Sequence, residues 1–493
     1  METGAIAGPP EVRGPLCARV AALCHNIAFR EPHLNEQLAG LIRALHEPLR
    51  VAFAGRVSMG KSTLVNALLQ APVAPTGDRE TTKVVTRFQA GDFERVELLL
   101  RDGSARQAFL TRTGMLPPTY PVSSDEIRQV RVLLPYAPVL HRITLIDTPG
   151  VESLNETTSN RTNESLFSRD SRIAIAGADA LVYLMGTGAE DEAAALAAFN
   201  ELTAPDLCAL NAVGVLNGKA DPVSRLEKMA RRLRDESAFR HRIAAVIPVG
   251  CLLAHAIRCA MLDEKDAANL RTLAGYDPGY LLDDVEEYLE VPCDVARPAR
   301  QRLLDLIGIS GLRMALDMIR SANGPIGDIN AALLEESGLP RLLEVIDGTF
   351  ANCADQIKAG QALVAVTRLS YQAEHATGQR VRVMVETLRA EPEMHSIQEL
   401  WALQQCTRPD LDLPDWVVTK LAQVASQATA PAKTGLPEGA SAREILEAAR
   451  DGASRAHAYE VSLSMTRPEA RIAATLRRSY TNIYRAALSG IEQ

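Results

Sequence analysis

The stretch that decides the fold of this chain runs from Val51 to Leu69 and reads VAFAGRVSMGKSTLVNALL. Its first part, Val51–Ala54, has the short apolar pattern of a buried strand, and its last part, Lys61–Leu69, has a helical pattern. The loop between them, Gly55–Thr63, has the spacing G-x-x-x-x-G-K-[ST]. Because glycine-rich backbone and a helix N-terminus both attract phosphate oxygens, this order predicts a phosphate-binding loop in an α/β domain.

The residues of this loop have separate expected roles. Lys61 is expected to neutralise the β- and γ-phosphate oxygens, and Ser62 to ligate Mg²⁺ through its hydroxyl. The rest of the predicted phosphate-binding set is Gly55, Arg56, Ser58, Met59, Gly60 and Thr63. The predicted ligand is therefore a nucleotide with Mg²⁺.

A second motif, Asp147-Thr148-Pro149-Gly150, directly follows the apolar strand pattern Ile143–Ile146. Asp147 is expected to hold Mg²⁺, through a water molecule, and the backbone N–H of Gly150 to contact the γ-phosphate. The same four residues also form ordinary turns. Their position at a strand end, in a chain that has a phosphate loop, favours the nucleotide role.

A third motif, Thr81-Thr82-Lys83, precedes the strand pattern Val84–Phe88. One threonine here is expected to close over Mg²⁺ and the attacking water when triphosphate is bound. We favour Thr82, with Thr81 as the alternative. A threonine that only stabilises a turn is a competing interpretation for either residue.

The base is predicted from Lys219-Ala220-Asp221, which follows the strand pattern Val213–Leu216. An Asp221 carboxylate can accept hydrogen bonds from guanine N1–H and N2–H₂, and adenine has no such pair of donors. GTP and GDP are therefore the expected ligands. Gly218 stands where an asparagine or threonine usually precedes the lysine, so a solvated surface loop is the alternative. Gly250 is expected to back the base.

Hydrolysis is expected to be slow because Gly150 is followed by Val151, with no glutamine there to orient water. Water would then be held by Thr82 and backbone groups, or by a group supplied on dimerisation. Arg56 and Arg79 are candidates to stabilise charge, although solvated arginines are the more ordinary interpretation.

The pattern along the chain predicts two kinds of structure. Short β-branched runs alternate with helical patterns and indicate a mostly parallel sheet with helices on both faces, while the remainder is an elongated all-α region. A continuous helix over 341–390 is expected, with shorter helices as the alternative. The expected domains are an N-terminal helical segment (1–48) that packs with the C-terminal helices, a nucleotide-binding domain (49–300) with an insertion at 93–141, and a helical domain (301–493) with a linker near 428–439.

Composition limits the partners and the location. The 493 residues carry a net charge of −8, which argues against a general nucleic-acid binder. No apolar run of about 18 residues predicts a membrane-spanning helix, and the N-terminal residues lack the pattern of a signal peptide. We expect a cytoplasmic protein whose action on membranes, if any, is peripheral.

The run Gly55–Leu68, the segment Thr81–Thr86 and Asp147–Gly150 together resemble bacterial dynamin-like GTPases, and most closely their mycobacterial isoniazid-inducible (Ini) branch. The likeness extends into the helical part, including Leu333–Leu339 and residues 350–363, where it is less specific.

The resemblance implies a dynamin-like GTPase in which Lys61, Ser58, Thr82 and Gly150 take part in hydrolysis. It places a monovalent cation at Ser58, and Val57 replaces the glutamine of many eukaryotic dynamins. It also implies dimerisation through the GTPase domain, as a homodimer or with a paralogous dynamin-like protein, coupled to remodelling or tethering of the inner membrane through its anionic lipids. The alternative is a regulatory or partner-subunit GTPase that docks another protein without acting on membrane.

Membrane contact would require an exposed tip, and two segments are candidates: 410–416 and 428–439. Neither is basic. Trp416 is interpreted as an anchor between helices rather than as a wedge inserted into lipid.

Overall fold

The computed structural model describes residues 14–56, 58–76, 84–149, 169–186, 212–217, 223–235, 243, 245–277, 281–282, 285–321, 326–406, 411, 413–427, 429–462 and 465–491. The strands are β1 Leu49–Gly55, β2 Thr86–Ala90, β3 Arg95–Leu100, β4 Ala105–Ala108, β5 Ile127–Leu134, β6 Ile143–Asp147, β7 Ala180–Met185, β8 Ala212–Leu216 and β9 Val246–Pro248.

The helices of the described residues are α1 Pro15–Arg30, α2 Asn35–His46, α3 Lys61–Leu69, α4 Arg169–Ala176, α5 Val223–Asp235, α6 Cys251–Arg258, α7 Glu264–Ala274, α8 Val285–Glu290, α9 Arg297–Ser321, α10 Ile326–Glu336, α11 Leu339–Ile346, α12 Ala354–Gln372, α13 His375–Arg389, α14 His395–Gln405, α15 Asp415–Ser426, α16 Ala430–Thr434, α17 Ala442–Glu460 and α18 Arg467–Ile491. A π-helical segment, Asp347–Ala351, follows α11.

All the described strands join one sheet, in the order β4-β3-β5-β2-β6-β1-β7-β8-β9. Strand β1 is parallel to β6 and β7, β7 to β8, β8 to β9, and β2 to β5. The pairs β2–β6, β3–β4 and β3–β5 are antiparallel. The predicted α/β architecture, a mostly parallel sheet flanked by helices with a large helical region, is confirmed.

The segment 93–141, expected as an insertion, contributes β3, β4 and β5 to the same sheet. From Val130 onward the burial along β5 alternates, with Val130, Val132 and Leu134 buried. This period of two is what a strand covered on one face requires. The insertion therefore widens the sheet.

The chain divides into two compact units, one comprising Met1–Glu47 with Asn352–Gln493 and the other Pro48–Ala351. Helices α9 to α11 belong to the unit that contains the sheet, whereas the sequence analysis assigned residues from 301 onward to the helical domain. The physical reason is burial: α6, α7, α9 and α10 share one apolar core, which includes Leu253, Leu270, Leu303, Leu312 and Leu333.

In the helical unit, the N-terminal helices α1 and α2 share a core with α12 and α13. The start of α1 is also held by Asp355 of α12, whose carboxylate accepts hydrogen bonds from the backbone N–H groups of Leu16 (3.0 Å) and Cys17 (2.9 Å). An anionic acceptor at the first turn satisfies N–H groups that have no partner within the helix.

The expected continuous helix over 341–390 is wrong, and the alternative of shorter helices holds. Helix α12 ends at Gln372, the chain becomes extended at Ala373 and Glu374, and α13 begins at His375. The chain turns back because Val381 and Val385 of α13 then join the same buried core as residues of α12. Gly378 allows the close approach, since a Cβ there would lie 2.0 Å from the carbonyl oxygen of Ser370.

Two features of the C-terminal helices bear on the expected lipid tips. Part of the expected linker 428–439 is helical, because the Thr429 side chain caps α16 by accepting from the backbone N–H of Ala432. Trp416 packs edge-on against Tyr459 with ring centroids 5.7 Å apart, and the Arg455 guanidinium lies 4.2 Å from the Trp416 ring centroid. These contacts support its interpretation as an anchor between helices. Asp410 and Asp412, at the same expected tip, lie outside the described residues.

Candidate nucleotide site

The candidate site lies at the carboxyl end of β1, between β6 and β7, where parallel sheets bind ligands. Residues Val51 to Ala54 of this strand are completely buried. The loop leaves the strand at Gly55, whose φ is +149° and where a Cβ would lie 2.6 Å from the carbonyl oxygen of Leu184. Only glycine fits there, because the neighbouring atom is backbone.

The loop then turns through two residues in the left-handed region, Ser58 (φ +61°) and Gly60 (φ +87°), and α3 begins at Lys61. The first turn of α3 presents N–H groups that lack partners within the helix, which makes this end an anion site. Ser58 is exposed, whereas Arg56, Met59 and Thr63 are half-buried.

Lys61 is buried, with 6% of its surface exposed. Its ammonium donates to the carbonyl oxygens of Gly55 (3.1 Å) and Arg56 (2.8 Å). Burial lowers the pKa of Lys61 to about 8, and the nearby Asp147 carboxylate offsets part of that effect. A buried cation with neutral carbonyl partners is stabilised by an anion placed beside it, and phosphate oxygens are such anions.

Two of the three predicted magnesium ligands, Ser62 and Asp147, are brought together, and the third, Thr82, lies outside the described residues. The Ser62 hydroxyl, in the first turn of α3, donates to a carboxylate oxygen of Asp147 at 2.8 Å. Asp147 ends β6 directly beside Phe53 of β1 and is 1% exposed. A hydroxyl and a carboxylate are hard oxygen donors, and Mg²⁺ uses one or two such protein ligands together with water and phosphate oxygens. The residues therefore fit the ion.

Thr148 has a role that sequence reasoning missed. Its hydroxyl donates to the carbonyl oxygen of Phe53 at 2.7 Å, and the residue is fully buried. This hydrogen bond fixes the end of β6 against β1, and so fixes Asp147 opposite Ser62. The motif contained this information, but a threonine side chain in a turn has many ordinary uses.

Asn66 is a second residue that sequence reasoning missed. Its amide donates to the carbonyl oxygen of Ala74 at 2.8 Å and its oxygen accepts from the backbone N–H of Ala74 at 2.7 Å. Asn66 is fully buried. The pair of bonds anchors the chain just before the predicted switch loop. The sequence did contain a signal for this role, because Asn66 is a polar residue within the otherwise apolar run 64–69.

The predicted base-binding loop begins with Asn217, just after β8. Its amide donates to the carbonyl oxygen of Met59 in the phosphate loop at 2.9 Å, and its oxygen accepts from the backbone N–H of Cys251 at 3.3 Å. In the sequence, Asn217 stands one place before the position at which an asparagine or threonine usually precedes the lysine of this motif, and Gly218 occupies that position. The Asn217 side chain nevertheless contacts the phosphate loop.

Gly250 is described next to this loop, between β9 and α6, and its backbone N–H donates to the carbonyl oxygen of Ser337 at 2.9 Å. Several predicted residues lie outside the described part of the chain: Val57, Arg79, Thr81, Thr82, Lys83, Gly150, Val151, Gly218, Lys219 and Asp221. Their assignments stay predictions.

Comparison with known proteins agrees with this geometry. A model of the Dynamin family matches residues 51–187. Isoniazid-induced protein IniC of Mycobacterium tuberculosis is 32% identical over 428 residues, which cover 84% of this chain and 85% of that protein. The chain belongs to the dynamin family. The resemblance to the isoniazid-inducible branch, and to its protein C, is confirmed.

Other dynamins match over smaller regions or at lower identity. Dynamin-like protein 2 of Campylobacter jejuni is 31% identical over 202 residues, 39% of this chain and 31% of that protein. A solved structure titled "An oligomerised bacterial dynamin pair provides a mechanism for the long range sensing and tethering of membranes" has 14% identity and a TM-score of 0.32, with coverage of 96% of this chain and 91% of the other.

Membership of the dynamin family implies a GTPase that uses GTP or GDP with Mg²⁺.

Proposed function

We propose that this dynamin-family protein binds GTP with Mg²⁺ and hydrolyses it slowly to GDP and phosphate. The observation that carries the proposal is the 2.8 Å hydrogen bond between Ser62 and Asp147, next to the buried Lys61 at the start of α3. These groups supply two ligands for a cation and one counter-charge for phosphate.

The remaining roles follow from the same arrangement. Bound Mg²⁺ would neutralise charge that develops on the β- and γ-phosphate oxygens. Thr82, or alternatively Thr81, completes the Mg²⁺ ligands and holds the attacking water, with Gly150 at the γ-phosphate. Asp221 and Lys219 bind guanine, with Gly250 behind it. Ser58 would hold a monovalent cation that would add positive charge near the phosphates, and the rate is low because Val57 and Val151 cannot orient water.

The coupled activity that we propose is peripheral work on the inner membrane. Two GTPase domains, from identical chains or from this chain and a paralogous dynamin-like protein, associate when GTP is bound, and the helical unit then remodels or tethers anionic membrane. Family membership supports this step. No helix among the described residues is long and apolar enough to cross a bilayer.

The test uses the full-length protein and its Lys61→Ala variant with Mg²⁺. We expect the unaltered protein to bind GTP at least tenfold more tightly than ATP, and the variant to lose both. Equal affinity for GTP and ATP would contradict the guanine assignment, and retained GTP affinity in Lys61→Ala would contradict the site.

Membrane action is tested separately by flotation with anionic vesicles in the presence of GTP, GDP or no nucleotide. We expect vesicle binding that depends on GTP, by the protein alone or together with its paralogue. Nucleotide-dependent association of two chains without vesicle binding would instead support the alternative, a regulatory or partner-subunit GTPase.

A further inference from the structure

Two consecutive backbone N–H groups of the loop after β9 are held from two different elements. The N–H of Cys251 donates to the side chain of Asn217 at 3.3 Å, and the N–H of Gly250 donates to the carbonyl oxygen of Ser337 at 2.9 Å. Asn217 belongs to the predicted base loop. Ser337 belongs to a turn between helices α10 and α11, for which the proposed function supplies no role.

This turn is tightly shaped by its own hydrogen bonds. The Ser337 hydroxyl donates to the carbonyl oxygen of Leu334 at 2.6 Å and accepts from the backbone N–H of Leu339 at 3.3 Å. Ser337 is 2% exposed and Leu339 is fully buried. The carbonyl group that receives the Gly250 N–H is therefore held in a fixed position.

Gly338 allows the turn to pack closely against the end of β9. Its φ is +75°, and a Cβ at this position would lie 2.1 Å from the carbonyl oxygen of Pro248, the last residue of β9. No side chain fits at that distance, and the left-handed backbone disfavours any residue that has a Cβ. Any substitution must move the turn or the strand end.

Strand β9 depends on this support more than the other site strands do. It has three residues and, among the strands that the structure describes, it lies at the edge of the sheet and pairs with β8 alone. The loop that follows it is held to β8 by the Val249 N–H, which donates to the carbonyl oxygen of Leu216 at 3.0 Å, and is further held by Asn217 on one side and by the Ser337–Gly338 turn on the other.

We propose that the Ser337–Gly338 turn is a positioning element for the loop after β9, which lies behind the base, and that it determines the preference for guanine through Gly250 and Cys251 of that loop. This inference rests on the proposed function, because it assumes that the loop backs the base. The phosphate loop is held by β1 and α3 in addition to Asn217, so displacement of the turn should weaken contacts with the base more than contacts with the phosphates.

The test compares Gly338→Ala with Gly348→Ala, a matched substitution at a glycine whose added Cβ would meet nothing within 4 Å. Affinities for GTP, ATP and inorganic tripolyphosphate are measured by competition against a fluorescent guanine nucleotide, with thermal unfolding as the check on folding. We expect Gly338→Ala to lower the ratio of GTP to ATP affinity at least tenfold while tripolyphosphate affinity changes less than threefold. Gly348→Ala should match the unaltered protein.

Two results would overturn the inference: an unchanged GTP-to-ATP ratio in folded Gly338→Ala, or an equal loss for GTP and tripolyphosphate. If Gly338→Ala does not fold, Ser337→Ala decides, since it removes the two hydroxyl hydrogen bonds that shape the turn and should lower the ratio about threefold; an unchanged ratio overturns the inference. An unaltered protein without preference for GTP would contradict the proposed function itself, and so separates the two failures.

Discussion

The side-chain amide of Asn217 donates a hydrogen bond to the backbone carbonyl oxygen of Met59 over 2.9 Å. This contact joins the loop after β8 to the phosphate loop after β1, although 158 residues of sequence separate the two. Asn217 also accepts from Cys251, so one side chain connects the phosphate loop, the predicted base loop and the loop behind the base.

We predict that Asn217→Ala weakens GTP binding about tenfold or more, because two hydrogen bonds that orient three loops are lost together. The variant should remain folded, since the contacts lie at the strand ends and not in the apolar core. Nucleotide titration and thermal unfolding measure the two effects. A GTP affinity within twofold of the unaltered protein would show that Asn217 does not organise the site.

The contact between Ser62 and Asp147 predicts a specific dependence on metal. Ser62→Ala removes one of the two oxygen donors at 2.8 Å separation, so we expect the Mg²⁺ concentration that half-saturates GTP binding to rise by about 10- to 100-fold. The measurement is a Mg²⁺ titration at fixed GTP.

Thr144→Val is the matched control, because it removes a buried hydroxyl from the same strand as Asp147. Among the described residues, the Thr144 hydroxyl has no hydrogen-bond partner, and its loss should leave the Mg²⁺ titration unchanged. Equal shifts in both variants would mean that Ser62 acts only through stability.

The accuracy of sequence-based prediction differed between local and distant features. The helix predicted at Lys61–Leu69 has the same bounds as α3, and the strand pattern Ile143–Ile146 ends one residue before the end of β6. The local pattern was sufficient there, because the periods of helices and strands are visible over a few neighbouring residues and the phosphate loop has a fixed spacing.

Distant features escaped prediction for a physical reason. The break at Ala373 and Glu374 has no proline or glycine, and only the packing of Val381 and Val385 makes the chain turn back. The hydrogen bond from Gly250 to Ser337 likewise depends on how α10 and β9 pack. The residue pattern within one segment does not indicate which distant segment packs against it.

Burial of Lys61 predicts proton uptake when nucleotide binds. The pKa of Lys61 is lowered from 10.5 to about 8, so the free site loses its proton above that pH, while phosphate oxygens beside it raise the pKa again. We expect uptake approaching one proton per GTP at about pH 9 and little at about pH 7. Calorimetry in two buffers of different ionisation enthalpy measures it, and absence of uptake at the higher pH would contradict the burial.

The same shift has a defined sign for stability without nucleotide. Because the unfolded chain keeps a lysine pKa of 10.5, it binds more protons than the folded chain between pH 8 and 10.5. The Lys61 contribution to the free energy of unfolding should therefore rise with pH across that window. Denaturant unfolding measures the free energy of unfolding of the unaltered protein and of Lys61→Met. The difference in favour of the unaltered protein should increase from about pH 8 upward, and a decrease would reject the assignment.

In the helical unit, we predict that Asp355→Ala lowers the free energy of unfolding by about 2 kcal/mol, because its carboxylate accepts from two N–H groups at the start of α1. Asp451→Ala is the control, since Asp451 is exposed on α17 and its loss should cost about 0.5 kcal/mol or less. Denaturant unfolding measures both. Equal losses would mean that the carboxylate contributes no more than a surface charge, whereas the predicted difference identifies Asp355 as the residue that fixes the N-terminal helix to α12.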